Sequence, residues 1–527
     1  MLKPAAVFSN HMVLQQKKNI TIWGKTDSKE KITVSMHNQV VDAMIYDDCF
    51  EANLHPMEAG GPYDMVIRQG EEVVRFLDIM IGEVWYAGGQ SNMELPLIDS
   101  LNGKEKVDSL RKNNKIRFYQ VQRKSFIDEA FYKGEETTSW EVYSKDTCGT
   151  WSAVATYYAE YLQKELGVPV GIIGCNLGAT SASCWVSKDK LERDSDTYCY
   201  IEDYHKAMEG KSLEQYEQEL KAFNEWYSVW QKKVDELYAK DPKIEWSKVE
   251  EIAGVCEWPE PLGPKSPFRP GGLHETMTKR VAGYALRGFL YYQGEEDANR
   301  ASSYGKLLRM VIEQLREDWN DDTLPFVNVQ LPRHIYKQDA DHGEWAVLRD
   351  QQMKVFKTVA NTGLAVTIDQ GEFNNIHPLD KSKVGKRLAK QALSLVYKKK
   401  GKAFGPMYKN ALIKEDGVLL QFHKVKGDLI YKEDLLYKST RDKYCPIEDV
   451  HPVVSENGFE VAGRDGVFYA AEIELNDSEI HVSSANVTEI VVVRYAYHNF
   501  SPVTIFDQSG LPLHPFCKKI RALKLEN

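Results

Sequence analysis

Between Val84 and Leu95 the chain reads VWYAGGQSNMEL. An apolar run ends in a Gly-Gly pair and delivers Ser91 just ahead of an amphipathic start, Met93 and Leu95. That sets the Ser91 hydroxyl at a strand-to-helix turn, where N–H groups of a first helical turn stabilise a developing oxyanion. Two roles fit the position: a nucleophile, or a serine that caps the helix. Positions 89–93 read Gly-Gln-Ser-Asn-Met, which is not the Gly-x-Ser-x-Gly elbow. A serine attacks only when a base takes its proton. Most of the thirteen histidines, among them His11, His37, His423 and His481, lie in β-like or exposed stretches. His377 differs. It lies in IDQGEFNNIHPLD, a loop between an apolar strand and a long helix, and Pro378 restricts the backbone after it. Its alternative role is to help cap that helix.

Two further loops carry candidate groups. In YYQGEEDAN, Tyr291 to Asn299, three carboxylates follow a buried-type strand. They are either a solvated acidic loop, or Glu295 or Asp297 orients the base as the acid of a triad does. In CNLGATSASCW, Cys175 to Trp185, Gly178 lets a backbone N–H approach an oxyanion. No GxxxxGK[ST], HExxH or EF-hand pattern occurs, and His and carboxylates are not clustered at metal-ligand spacing. No cofactor and no catalytic metal is expected.

The elements that must position these loops alternate. IMIGEVWYAGG, VPVGIIGCNLGAT, YALRGFLYYQGEEDA, LPFVNVQLP and TGLAVTIDQG read as apolar strands running into polar loops. VATYYAEYLQKEL, YGKLLRMVIEQLREDW and DKSKVGKRLAKQALSLVYKK read as helices between or after them. Alternation of this kind predicts a parallel sheet flanked by helices, with the site at the carboxyl ends of its strands. All four loops follow strands and so converge on one edge. Residues 1–78 read as a small β sandwich or jelly roll. Residues 79–404 form the α/β part, and 405–527 a terminal β module for which the N-terminal module is the expected packing partner. A helical insertion interrupts the α/β part at about 187–268. Within it Leu213, Tyr216, Leu220, Phe223, Tyr227, Trp230, Val234 and Leu237 step by three and four, a heptad seam. The seam is expected to pack on WSKVEEIAG as a helical hairpin; the alternative is a homodimer contact.

Composition limits the partners. With 67 basic and 77 acidic residues the net charge is −10, which argues against general affinity for nucleic acid or an anionic membrane. No apolar run approaches the length that spans a bilayer. The N-terminal MLKPAAVFSNHMVLQQ lacks the charged, apolar and small-residue regions of an export signal, so the expected location is cytoplasmic. The eight cysteines form no CxxC pair and read as free thiols.

Taken together and in this order, the blocks resemble the sialate O-acetylesterase family of SGNH-type hydrolases. FSNHMVLQQ with ITIWG, GEVWYAGGQSNME, WSAVATYYAEYLQKELGVPVGII, RPGGLHETM, YYQGEEDA, WAVLRDQQ, NNIHPLDKSKVGKRLA and VRYAYHNF with GLP carry the resemblance over nearly the whole chain. The resemblance implies an SGNH-hydrolase-like domain, Ser91 as nucleophile, His377 as base and an acetyl-enzyme intermediate. It implies oxyanion donors from the Ser91 N–H and Gly178 with a group of the third block, and places Gln90, Asn92 and Gln293 among the oxyanion or binding groups. The implied substrate is a small acetylated sugar, O-acetylated sialic acid first, with acetylxylan or another acetylated glycan as the near alternative. A sialate carboxylate needs a cation, and Arg269 and Arg287 lie in or near relevant segments.

Three positions depart from the family pattern. Asn375 and Asn374 stand at the two places before His377 where relatives keep an acid. Glu295 is therefore the expected triad acid, with Asp369, Glu372 or a Ser-His dyad as alternatives. Asp297 stands where many members have Asn, and an ionised Asp cannot donate to an oxyanion. Ala179 replaces a frequent Gly. The loss of the acid at 375 also supports a reading from a different class, a catalytically weakened protein that binds acetylated sugars without turning them over.

Overall fold

The computed structural model describes residues 1–241, 244, 246–337, 339–444 and 455–520. Cys445 lies outside the described residues; the other seven cysteines form no disulfide among the described residues. The chain divides into two compact units, one of residues 1–123, 136–182 and 280–527, the other of residues 124–135 and 183–279.

The first unit is built on seven strands: β1 (Glu72–Gly89), β2 (Asn113–Gln120), β3 (Trp140–Tyr143), β4 (Val170–Asn176), β5 (Gly288–Tyr292), β6 (Phe326–Gln330) and β7 (Thr362–Val366). Their order is β3-β2-β4-β1-β5-β6-β7. All neighbours are parallel except β3, which runs antiparallel to β2 at the edge, so the sheet is mixed rather than purely parallel. Every residue of β4, β5 and β6 is buried. Successive side chains of a strand point to opposite faces, so both faces are covered, as parallel sheets require. The short helix α1 (Ser91–Glu94) follows β1. Helix α2 (Ala153–Leu166) starts at Ser152, whose hydroxyl accepts the Ala155 N–H, and ends at Gly167 in the left-handed region.

β1 explains the change of texture near residue 78. Its first half pairs antiparallel with Gly60–Gln69 of the N-terminal β module, and its second half pairs parallel with β4 and β5. The boundary expected at 78/79 thus falls inside one continuous strand that changes partners.

The second unit contains α3 (Leu213–Lys240) and α4 (Trp246–Ala253). Ser212 and Gln215 close a reciprocal capping box at the start of α3. Trp230 and Val234 of the seam are buried with Val249 and Ala253 of α4, while Leu213 at its start is 55% exposed. The unit is wider than the expected insertion, because it begins at 183, runs to 279 and draws in 124–135.

Three longer helices of the first unit are α5 (Ala301–Asp318), α6 (Glu344–Thr358) and α7 (Lys381–Leu395). α7 packs on α2, and α5 on α6. The C-terminal strands form two four-stranded antiparallel sheets and a two-stranded pair. Their core residues Leu420, Val461, Val493 and Phe516 join Met353 of α6 and Leu364 and Val366 of β7 in one apolar cluster. The C-terminal module therefore shares its core with the α/β sheet, not with the N-terminal strands as expected. β7 ends the strand order, and its Leu364 and Val366 are the sheet residues in that cluster.

Candidate active site

Strand register brings the four loops together. Gly89, the last residue of β1, lies opposite Asn176 at the end of β4 and Tyr292 at the end of β5. The segments that follow, 90–94, 177–182 and 293–300, therefore leave the sheet side by side. Gly89 is required here twice over. Its φ is +136°, and a Cβ would stand 2.0 Å from the Tyr292 carbonyl oxygen. This tight exit puts Ser91 at the first position of α1.

The His377 loop reaches the same point. His377 Nε2 lies 2.9 Å from Ser91 Oγ. The loop is shaped by two asparagines and a glutamate. Asn374 adopts φ 58°, and its Oδ1 accepts the Lys337 N–H at 3.0 Å. Asn375 Oδ1 accepts the His377 N–H at 3.0 Å, and Asn375 Nδ2 donates to Glu372 Oε2 at 2.8 Å. Glu372 Oε1 accepts the Leu379 N–H at 2.8 Å. Glu372, Asn374 and Asn375 thus hold the turn. The asparagine at 375 follows from this: an aspartate there would face Glu372 with a second carboxylate.

Neither Glu295 nor its alternatives reach the imidazole. Glu295 Oε1 accepts from Asn92 Nδ2 at 2.6 Å, so the expected triad acid sits on the residue after the nucleophile instead. Asp369 forms a bidentate pair with Arg387. Among the described residues His377 bonds through its side chain to Ser91 alone.

Asn92 is a structural tie, not a group facing substrate as expected. It is fully buried. Its Nδ2 also donates to the Ile376 carbonyl at 2.9 Å, and its Oδ1 accepts from Lys381 Nζ. One amide so joins the nucleophile helix, the third loop, the histidine loop and the first residue of α7. Burial lowers the Lys381 ammonium to about 8, against the attraction of Glu295, Glu372 and Asp380. Burial raises the Glu295 carboxyl, opposed by the Asn92 hydrogen bond and Lys381.

Gln90 and Gln293 are internal as well. Gln90 Oε1 accepts the Gly294 and Glu296 N–H groups at 3.4 and 3.3 Å. Gln293 Nε2 donates to the Thr180 carbonyl at 3.2 Å and to Asp297 Oδ2 at 2.6 Å. Asp297 in turn accepts from Ser181 Oγ at 2.6 Å and the Ala182 N–H at 2.9 Å. The carboxylate thereby clamps the Gly178 loop to the third loop, an acceptor role that suits Asp at this position. Gly178 packs on Ser91: a Cβ would lie 3.4 Å from Ser91 Cβ. Its N–H donates to Glu94 Oε2 at 2.5 Å, so it serves an oxyanion only in exchange for that carboxylate. Ala179 keeps the left-handed path of a glycine, at φ 55°.

Sequence reasoning missed Lys381, Glu94 and Arg123. Lys381 had a signal, since a lysine in the first turn of a helix opposes the macrodipole, where acids are favoured. Arg123 follows β2, a strand not recognised in the sequence. Arg287, proposed as a cation for substrate, instead pairs with Glu83 at 2.7 Å, where the pairing of β1 with β4 begins and Gly89 lies at its other end.

His377 is held below the usual histidine range, first by burial and second by the Lys381 charge. Its neutral form, the one that can accept the Ser91 proton, therefore persists below pH 6.5. The acid limb of kcat/KM on a neutral acetate ester is expected below pH 6.5, and Lys381→Met should move it upward. A limb at or above pH 6.5 in the unmodified protein would contradict this.

Residues 268–394 match the family described as carbohydrate esterase, sialic acid-specific acetylesterase. This segment holds Glu295, His377 and Lys381 but not Ser91. The chain is 24% identical to mouse (Mus musculus) sialate O-acetylesterase over 457 residues, covering 79% of this chain and 77% of that protein. It is 23% identical to the human (Homo sapiens) sialate O-acetylesterase over 477 residues, covering 84% and 79%. The fold is that of a carbohydrate acetylesterase from Xanthomonas citri, with a TM-score of 0.72, 22% identity and coverage of 98% and 99%.

Proposed function

We propose that this chain, which belongs to the sialic acid-specific carbohydrate acetylesterases, removes O-acetyl groups from sialic acid through an acetyl-Ser91 intermediate. The observation that carries the mechanism is the 2.9 Å contact between Ser91 Oγ and His377 Nε2 at the carboxyl edge of the sheet. Ser91 Oγ attacks the acetyl carbonyl carbon while its proton passes to His377. The tetrahedral oxyanion is met by the Ser91 N–H, with Gly178 N–H joining as Glu94 yields it. The C–O bond to the sugar breaks and the leaving oxygen takes the proton from His377. Water then repeats the sequence on the acetyl-serine, giving acetate and free Ser91.

The site works as a Ser-His dyad. Among the described residues no carboxylate bonds to the imidazole, and burial beside Lys381 destabilises its charged form. That makes the imidazolium a stronger acid toward the leaving alkoxide. Its orientation comes from the loop, through Asn375 on the His377 N–H and Asn92 on the Ile376 carbonyl. A role limited to binding acetylated sugars has no support in this geometry, because nucleophile and base are already in contact.

The test compares kcat/KM for 9-O-acetyl sialic acid with that for acetylated xylo-oligosaccharides, and looks for an acetyl adduct on Ser91 by mass spectrometry after rapid quench. The sialate is expected to be the better substrate. Turnover no faster than that of Ser91→Ala would end the esterase reading, and a preference for the xylo-oligosaccharide would move the substrate to plant-type glycans.

A further inference from the structure

A sialic acid carries a carboxylate several bonds from its acetylated hydroxyl, so a dedicated esterase gains by placing a cation at that distance from the nucleophile. Two cations bond to groups that flank Ser91. Lys381 is 1% exposed and its amine is committed to Asn92, beneath the nucleophile helix. Arg123 is different. Its side chain is 32% exposed and lies at the carboxyl end of the sheet, where Nε donates to the Asn176 carbonyl at 3.0 Å and Nη2 to Asn176 Oδ1 at 3.0 Å. Asn176 ends β4, two residues before Gly178. These bonds, with a longer one from Nη2 to Gln120 Oε1 at 3.4 Å, fix the plane of the guanidinium on the loop that touches Ser91.

A carboxylate already sits against this guanidinium. Glu94 Oε1 lies 3.3 Å from Arg123 Nε, while Glu94 Oε2 takes the Gly178 N–H. The pair is about one-third open to water on both sides, so it is an ion pair of modest strength that a competing anion can replace. Nη1 of Arg123 bonds to no described residue, which leaves an edge of the fork open to a ligand.

We propose that Arg123 is the recognition site for the carboxylate of the sialic acid, which replaces Glu94 on the guanidinium. The assignment rests on the sialate reading above. It adds a role to Glu94: the carboxylate that holds the place of the substrate's own also covers the Gly178 N–H, so its displacement by an acidic sugar exposes an oxyanion donor. A neutral acetylated sugar brings no anion to make the exchange.

Acetate release is measured from 9-O-acetyl-N-acetylneuraminic acid and from its methyl ester, which differ in the carboxylate alone. In the unmodified protein kcat/KM should favour the free acid by about tenfold or more. In Arg123→Met that ratio should fall toward one, and Arg123→Lys should keep part of it. Equal kcat/KM for acid and methyl ester in the unmodified protein, or an unchanged ratio in a folded Arg123→Met, overturns the assignment while leaving the esterase intact. Turnover of neither compound, with hydrolysis of 4-nitrophenyl acetate retained, removes the sialate reading and the Arg123 assignment with it.

Discussion

Replacing His377 by alanine is expected to lower kcat on a neutral acetate ester by about a thousandfold or more, with the melting temperature little changed. His377 is the side chain on Ser91 Oγ, and among the described residues no other side chain bonds to that hydroxyl. His334 is buried, is held near 4 by desolvation, and packs its ring on Tyr336 and Trp345. Glu295 is turned away, onto Asn92. Loss of the imidazole also leaves the polar frame of the loop in place, because that frame is built from Asn374, Asn375 and Glu372. The matching variant is Glu295→Gln. A carboxylate that oriented the base would cost orders of magnitude in kcat when neutralised. A carboxylate that only accepts from Asn92 can be replaced by the oxygen of an amide, so the expected loss is less than about tenfold. Steady-state kinetics and thermal melts of the two variants decide the point. A His377→Ala enzyme within tenfold of the parent would place the base elsewhere, and a Glu295→Gln loss comparable to that of His377→Ala would restore Glu295 to a triad.

Ser91, His377 and the loops around Gly178 and Glu295 were legible because one local pattern repeats: an apolar strand, then a polar loop. In a parallel sheet that pattern has a single geometric outcome, since strands that run the same way deliver their following loops to the same edge. The identity of side-chain partners was not legible. Whether Glu295 turns to His377 or to Asn92 is decided by where the side chain after the nucleophile points. That direction is set by the Gly89 exit and by the buried amine of Lys381, contributed by a residue 289 positions further on. The spacing of residues in the chain carries no trace of it. The asparagines at 374 and 375 misled for a related reason. Read against an expected acid they are losses, whereas in the fold Asn374 and Asn375 each accept a backbone N–H, and Asn375 also donates to Glu372, which an ionised acid could not do.

The fold shows the same division. Long apolar strands were recognisable by their length. β2 was not, because its polar start, with Asn114 and Lys115 exposed, and its charged Arg117 interrupt the apolar run. Arg117 is nevertheless buried, and its guanidinium donates to the His11 and Asp78 carbonyls of the N-terminal module. A strand that carries such a residue hides from any rule based on hydropathy. Without β2 the position of Arg123 beside the site could not be inferred. The partner of the C-terminal module was hidden as well, since an apolar face records that it is covered but not by what.

Asn92→Leu is expected to have the largest effect on stability of any single substitution in the site. Leucine fills the space but offers no polar atom. The Lys381 amine loses its acceptor and Glu295 its donor on Oε1, both in buried surroundings, and the half-buried Ile376 carbonyl loses its bond. Glu295 is already short of partners, with Oε2 buried and unbonded. Stranding buried charges in this way costs about 3–5 kcal/mol, and each unpaired neutral group adds about 1–3 kcal/mol. Denaturant unfolding followed by intrinsic fluorescence should therefore show a clear shift of the transition to lower concentration, and activity should fall with it, because the same amide ties the Ser91 helix to the His377 loop. This separates the variant from His377→Ala, which removes a reacting group and leaves the melt in place. Asn92→Asp probes the two sides of the tie separately: it keeps the acceptor for Lys381 but turns a carboxylate toward Glu295. If the leucine variant unfolds with the parent and keeps its kcat, Asn92 is not the joint between nucleophile and base, and the orientation of His377 must come from Asn375 and Glu372 alone.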